Sequence, residues 1–268
     1  MQLTEPAPAK VNLALHVRGK LPDGRHRIET VFAFCTDGDV VAAEPANDLA
    51  LQAVGPFAGE LGDGGHENLV MRAARALQEE AGVGEGASLV LTKKLPVAAG
   101  VGGGSADAAA TLRLLTRMWG VDPSHAAAVA PKIGADVPAC LLSMTARGDG
   151  AGDELQLVDA GVSDIPILLV NPRVQLSTRD VFAGWNGEDK GPLEDWRVGR
   201  NDLEAAAVEQ VPLIGAVLAW LALQPGASVV RMSGSGATCF ALFESEEARD
   251  RAEVAVPREW WRLASFLR

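Results

Sequence analysis

Basic residues are in short supply: 24 Lys and Arg stand against 35 Asp and Glu, a formal charge of −11 over 268 residues. Binding along a nucleic-acid backbone draws on a basic face, so that class of partner is excluded and small ligands fit better. The same field opposes any anionic ligand. A nucleotide site in this chain needs local lysines, backbone amides and a divalent cation to reverse it. Long apolar runs are missing too. The runs ILLV (167–170) and AVLAWLAL (216–223) fall far short of the roughly 20 residues that cross a bilayer. The first residues, MQLTEPAPAKVNLALHV, lack a basic region followed by an apolar stretch and cleavage site, and a cytoplasmic location is expected. Cysteine is scarce: Cys35, Cys140 and Cys239 are odd in number, far apart and in apolar surroundings, with no CxxC anywhere, which suits reduced core thiols rather than disulfides or zinc. There is no tyrosine at all. Neither GK[ST] nor a complete GxGxxG occurs, since Ser105 stands where the last glycine would fall, and the HRD and DFG signatures of protein kinases are absent.

Glycine, by contrast, is concentrated. Residues 95–112, LPVAAGVGGGSADAAATL, place Gly100, Gly102, Gly103 and Gly104 within five positions and run into an alanine-rich stretch. Only glycine leaves room for consecutive N–H groups to converge on an anion, and the free amides and positive end of a following helix add to that attraction. Ala108, Leu112, Leu115 and Trp119 recur at helical steps, with Ser105 as the expected N-cap. A tight strand-to-helix connection is the plainer reading of the same glycines.

Along the chain, AKVNLALHVR (9–18) reads as a strand with Val11, Leu13, Leu15 and Val17 on one face and Lys10, Asn12, Ala14 and His16 on the other. LPDG turns it into a second strand, RIETVFAF, and VVAAE reads as a third. A loop with several glycines (55–66) leads to a helix from about Asn68 to Ala81, stopped by Gly82. ASLVLTKKL is a strand delivering Lys93 and Lys94 to the glycine loop. Helices are expected in DPSHAAAVAPKIG and ADVPACLLS, with Asp136 at the cap of the second, and RGDGAGDEL (147–155) as a crossing between halves. Beyond it come a buried strand IPILLVNP, a long partly ordered connection to Arg200, one helix VEQVPLIGAVLAWLAL, strands SVVRM and TCFALF around the turn SGSG, helix SEEARDRAEVAV and a last strand EWWRLASFL. No repeat is evident. Frequent hairpins among alternating strands and helices favour an α+β fold over a doubly wound parallel sheet.

Three segments carry a resemblance: PAPAKVNLALHV, LPVAAGVGGGSADAAATL and RMSGSGATCFALF. In this order and spacing the chain resembles the GHMP kinase superfamily. With DGRHRIETVF, ENLVMRAAR and KIGADVPACL added, it is most similar to the 4-diphosphocytidyl-2-C-methyl-D-erythritol kinases within it. The match is dense over 6–142, thinner through NPRVQLSTRDVF, weakest over 183–200 and clear again at SGSGAT. It implies a two-domain α+β fold: an N-terminal ATP-binding domain over 1–155, like the second domain of ribosomal protein S5, and a ferredoxin-like C-terminal domain over 156–268. It also implies ATP-dependent phosphorylation of the 2-hydroxyl of 4-diphosphocytidyl-2-C-methylerythritol in the non-mevalonate isoprenoid pathway. Another small-alcohol kinase of the superfamily, for homoserine or mevalonate, is the alternative.

Residue roles follow from the resemblance. Lys10 and Asp136 are the implied catalytic pair, and phosphoryl transfer to an alcohol does call for a carboxylate to receive the hydroxyl proton and a cation to hold it. Alone, Lys10 reads as a solvated edge residue and Asp136 as a helix cap. ATP and Mg²⁺ are the implied cofactors. Asn68, Lys93 and Pro96 are expected near the adenosine, Gly100, Gly102, Gly103, Gly104 and Ser105 around the phosphates, and the Ser105 hydroxyl on Mg²⁺. Asn12 and His26 are expected on the cytosine edge, with Phe182 facing the base. Arg25 stands where the family commonly has a stacking tyrosine, and a guanidinium plane can also stack. Gly234 and Ser235 are placed at the substrate end of the cleft and Thr178 on a phosphate. No nucleic-acid or membrane partner is expected, and the assembly is a monomer or weak homodimer.

Overall fold

A computed structural model describes residues 2–61 and 68–268; the later part of the glycine-bearing loop 55–66 lies outside the described residues. The chain packs as two compact units that interleave along the sequence. One takes its described residues from Met1–Ala9, Asp37–Val97 and Gly102–Ser143; the other holds Lys10–Thr36, Ala98–Val101 and Met144–Arg268. Two long strands, β1 (Leu3–Lys20) and β2 (His26–Ala46), pair with each other and contribute to both units.

In the first unit, the end of β2 pairs antiparallel with β4 (Gly86–Thr92), from Val40 opposite Thr92 to Ala46 opposite Gly86, and β3 (Leu49–Val54) lies parallel on the other side of β4. The expected break between RIETVFAF and VVAAE does not exist. Asp37-Gly38-Asp39 reads as a turn, but Gly38 is there because a Cβ would lie 2.2 Å from the carbonyl oxygen of Ala7. The glycine admits a neighbouring backbone and the strand runs on. Helix α1 (Leu69–Ala81) starts at Asn68, whose Oδ1 accepts the Val70 N–H at 2.9 Å, and stops at left-handed Gly82, φ 64°. Its Val70, Ala73 and Leu77 are buried, as the periodicity requires. Helix α2 (Gly103–Trp119) packs on α1, with Ala108, Leu112 and Leu115 fully buried. Helices α3 (Pro123–Ile133) and α4 (Val137–Leu142) complete the unit.

The second unit carries a four-stranded antiparallel sheet in the order β10-β7-β9-β8, made of β7 (Pro166–Asn171), β8 (Ala227–Met232), β9 (Cys239–Phe243) and β10 (Trp261–Phe266). With helices before β8 and α8 (Glu246–Ala255) before β10, the connectivity is the ferredoxin-like βαββαβ expected for the C-terminal part. RGDGAGDEL is not a crossing segment. It forms the hairpin of β5 (Ala146–Asp149) and β6 (Glu154–Leu157), turned by Gly150 (φ 68°) and Gly152 (φ 92°), and β5 pairs with Thr30–Phe32 of β2. The single helix expected over 208–223 is two, α6 (Glu204–Gln210) and α7 (Pro212–Ala222), because Pro212 has no N–H to carry the helical ladder through. The connection to Arg200 begins with a short helix, α5 (Thr178–Ala183), and is then held by specific bonds rather than partly ordered. The Leu193 N–H donates to Glu29, and the Leu193 and Trp196 carbonyls accept from Arg147 and Arg231.

Candidate active site

The second half of the glycine loop belongs to the first unit. Gly102 adopts φ 64° and occupies the N-cap position of α2 without a side-chain cap, so the helix opens on bare backbone; Ser105 lies inside the first turn instead of capping it. Gly104 lets the helices approach, since a Cβ there would stand 3.2 Å from Leu69 Cδ1, directly after Asn68. Uncapped amides at a helix start are a ready-made seat for an anion. Pro96 is buried in the segment leading to the loop and Lys94 is exposed. Asp136 sits at the N-cap position of α4 but makes no side-chain cap bond, so its carboxylate is not used as a simple cap.

Lys93, expected beside the adenosine, is held from within the first unit. Its side chain is buried, its Nζ donates to both Asp39 Oδ2 and Asp107 Oδ2 (2.8 Å to the latter), its N–H donates to the Val54 carbonyl and its own carbonyl accepts from Phe57. All its polar groups are engaged within the first unit, beneath the loop. Burial pushes the Asp107 carboxyl up to about 7 despite the attraction of Lys93. Burial also disfavours the Lys93 ammonium, but the two carboxylates outweigh it and its pKa is raised.

The second unit gathers most of the remaining candidates. Lys10 alone reads as a solvated edge residue, yet both faces of β1 are buried, and Lys10, Asn12 and His16 survive there because each is partnered. Lys10 Nζ lies 5.1 Å from the Phe32 ring centroid and donates to Asn12 Oδ1 at 2.8 Å. Asn12 Nδ2 passes the chain on to Thr30 Oγ1 (2.8 Å), which donates to the Ala14 carbonyl (2.7 Å). Ser233 Oγ accepts from the Asn12 N–H at 3.1 Å and donates to the Gly100 carbonyl at 3.2 Å. The SGSG turn and the first half of the glycine loop are thus joined. A Cβ at Gly100 (φ 78°) would strike the Gly236 carbonyl at 2.2 Å, and one at Gly234 would come within 3.1 Å of Asn12 Oδ1. Thr178 and Ser235 meet hydroxyl to hydroxyl at 2.8 Å.

His26 lies at the start of β2, its ring centroid 5.0 Å from Phe182 and 5.6 Å, edge-on, from Trp185. Burial first, then Lys20, lowers its pKa, so the ring is neutral at pH 7 and offers one donor and one acceptor. Arg25 is half exposed and uses in-plane N–H groups, Nε to Asp23 (2.7 Å) and NH1 to Asp153 (3.1 Å).

Sequence families agree with this layout. The family of GHMP kinase N-terminal domains matches residues 68–144 and that of GHMP kinase C-terminal domains residues 193–263. A 4-diphosphocytidyl-2-C-methyl-D-erythritol kinase from Rhizorhabdus wittichii is 53% identical, covering 100% of this chain and 96% of the relative. The chain belongs to this kinase family. A crystal structure of 4-(cytidine 5'-diphospho)-2C-methyl-D-erythritol kinase superposes with a TM-score of 0.83 at 33% identity, covering 100% of this chain and 99% of that one. Homoserine kinase from Cytophaga hutchinsonii gives 0.72 at 19% identity over 99% of this chain and 95% of that one, which is a likeness of fold.

For a member of this family, three of the side chains now on the page were missed in the sequence. Asp39 follows an apolar strand with nothing local to distinguish it from a turn aspartate. Ser233 precedes the SGSG glycines, but its partner Asn12 is 221 residues away. Trp185 sits in a segment without periodicity; only its spacing of three from Phe182 could have drawn notice.

Proposed function

We propose that the chain transfers the γ-phosphoryl group of ATP to the 2-hydroxyl of 4-diphosphocytidyl-2-C-methyl-D-erythritol, giving the 2-phosphate and ADP, in the cytoplasm and as a monomer or weak homodimer. The observation that carries this reading is identity of 53% over the full chain with a kinase of that name. Homoserine and mevalonate kinases share the fold at far lower identity, so the alternative substrates lose their footing. Three free buried thiols suit a reducing compartment, and no helix among the described residues is long and apolar enough to cross a membrane. The division into halves at 155/156 belongs to the same proposal as a division of the sequence, with the two family matches on either side of it; the compact units interleave across it and β6 spans it.

In this reading the bare amides from Gly102 to Ser105 hold the triphosphate, Asn68 and Pro96 border the adenosine, and Lys93 acts from beneath the loop. Asn12 and His26 read the cytosine edge, with Phe182 and Arg25 against the base and Asn12 oriented by its bonds to Lys10 and Thr30, and the hydroxyls of Thr178 and Ser235 face the substrate with Gly234. Asp136 accepts the proton of the attacking hydroxyl, and the Lys10 ammonium offsets the charge developing in the transfer. Among the described residues there is no cluster of three or more His, Cys, Asp or Glu for a metal. Mg²⁺ in such kinases needs only one or two protein oxygens because phosphate oxygens and water complete its shell, and the Ser105 hydroxyl in the uncapped turn suits that role. When bound, the ion would neutralise part of the charge on the triphosphate.

A coupled ADP-release assay tests the reading, comparing the cytidine compound with homoserine and mevalonate, with and without Mg²⁺. Turnover is expected with the cytidine compound alone and only with Mg²⁺. Lys10→Ala and Asp136→Asn should each lower kcat by at least about 10²-fold, the scale of lost acid–base assistance. Turnover of homoserine instead would reject the substrate, and a Lys10→Ala enzyme of full kcat would reject the catalytic pair.

A further inference from the structure

The ion cluster under the first turn of α2 takes no part in the transfer step. Asp39 and Lys93 are each 1% exposed and Asp107 is 2% exposed, so two carboxylates share one ammonium out of water. Such a set carries a heavy desolvation penalty, and apolar side chains of similar volume often serve stability as well. What it supplies is geometry. Asp39 Oδ1 accepts the N–H groups of both Lys94 and Leu95, while its Oδ2 takes the Lys93 ammonium. That ammonium continues to Asp107, the fifth residue of α2, directly after its first turn. A Cβ on Gly103 would lie 3.0 Å from Lys93 Nζ and 3.7 Å from Asp39 Oδ2, so the cluster sits immediately below the residue that opens the helix. The far oxygen of Asp107, Oδ1, is buried with no hydrogen-bond partner among the described residues.

Three segments therefore converge on one point: the middle of β2 at Asp39, the approach to the glycine loop at 93–95, and the start of α2. Helix-end attraction falls off within a single turn, so the aim of these amides depends on where that turn is pinned. We propose that Asp39, Lys93 and Asp107 form a positioning network that fixes the first turn of α2 and thereby sets the affinity for the phosphates of the nucleotide. The network acts through the amides of Gly103 to Ser105 and touches neither nucleotide nor acceptor itself. It rests on the reading of Gly102 to Ser105 as the phosphate cradle.

The test separates the network from its premise. Steady-state constants are measured for Asp39→Asn, Asp107→Ala, Asp107→Asn and Gly103→Val, with inhibition constants for ADP and for adenosine and a thermal melt for each. Asp39→Asn and Asp107→Ala should raise the KM for ATP and the inhibition constant of ADP by roughly tenfold, within the about 10²-fold that a 1 Å misplacement can cost. The adenosine constant and the KM for the cytidine substrate should stay put, and Asp107→Asn, which keeps an oxygen for Lys93, should recover most of the loss. If Gly103→Val weakens ADP while both aspartate variants bind it normally, the network is rejected and the cradle stands. If Gly103→Val leaves ADP unaffected, the cradle itself is rejected, and the network with it. Equal weakening of ADP and adenosine, or a fall in kcat that tracks the folded fraction, would make the cluster merely structural and overturn the inference. Should Asp39→Asn not fold, the comparison of Asp107→Ala with Asp107→Asn decides on the same readouts.

Discussion

Arg25 is the residue proposed to stack on the base in a chain that has no tyrosine. Its pairing with Asp23 and Asp153 uses N–H groups in the plane of the guanidinium, the geometry in which an arginine can also present a flat face to a base. Phe182 stands against His26, with Trp185 edge-on to the same imidazole, so the ring proposed to read the base edge is fixed by two aromatic neighbours. Base stacking on an aromatic side chain contributes about 1–3 kcal/mol. Phe182→Ala is accordingly expected to raise the KM for the cytidine substrate by about tenfold while leaving that for ATP unchanged, and Arg25→Tyr to lower it. Initial rates over both substrates measure this; if neither substitution moves the cytidine constant, the account of base binding is wrong.

At the scale of elements, α1 and the glycine loop were readable because their signals are local. A cap at Asn68, an apolar stripe and a terminal Gly82 lie within one 15-residue window, and four glycines in five positions announce a backbone that must approach something. The strands of the ferredoxin-like sheet were readable for the same reason. Misreadings came where glycine or proline serves a distant neighbour. Gly38 admits the Ala7 carbonyl inside an unbroken strand, and the glycines near 150 turn a hairpin instead of linking halves. In the site, Lys10 and the loop were legible, whereas Asp39 was not, since its meaning lies in Lys93, 54 positions on. Asn68 tests the division between local and functional roles. Loss of its cap in Asn68→Ala should cost about 1 kcal/mol and lower Tm by about 2–4 °C in a chain of this size. Asn68→Asp should restore the melt by scanning calorimetry. If the carboxamide also borders adenosine, the aspartate variant keeps a raised KM for ATP; a normal KM in both variants would leave Asn68 as a cap alone.

On the scale of the molecule, the weakly matching stretch before Arg200 is held within the second unit by Glu29, Arg147 and Arg231 and also by a titratable ring. His16 is buried on β1, its Nδ1 3.1 Å from the Gly191 carbonyl and its Nε2 accepting the Arg200 N–H at 3.3 Å. This pattern requires the neutral tautomer with the proton on Nδ1. Arg200 and Asp202 from the connection and Glu29 from β2 face the ring; burial first, then Arg200, lowers its pKa, with Gly191, Asp202 and Glu29 opposing. The unfolded chain, with an ordinary histidine near 6.5, thus binds the proton more readily than the folded one. Above pH 6.5 neither state is protonated at this site and the group is silent; as pH falls below 6.5 the unfolded state gains and stability is lost, until the folded pKa is passed. His16→Asn can donate to Gly191 or accept from Arg200 but carries no titration. Melting temperatures from pH 8 to pH 5 should therefore fall more steeply below 6.5 for the wild type than for His16→Asn, with the KM for ATP equal in both at pH 8. Parallel curves would mean that His16 takes up its proton without disturbing Gly191 and Arg200, and that the fastening of this connection is insensitive to acid.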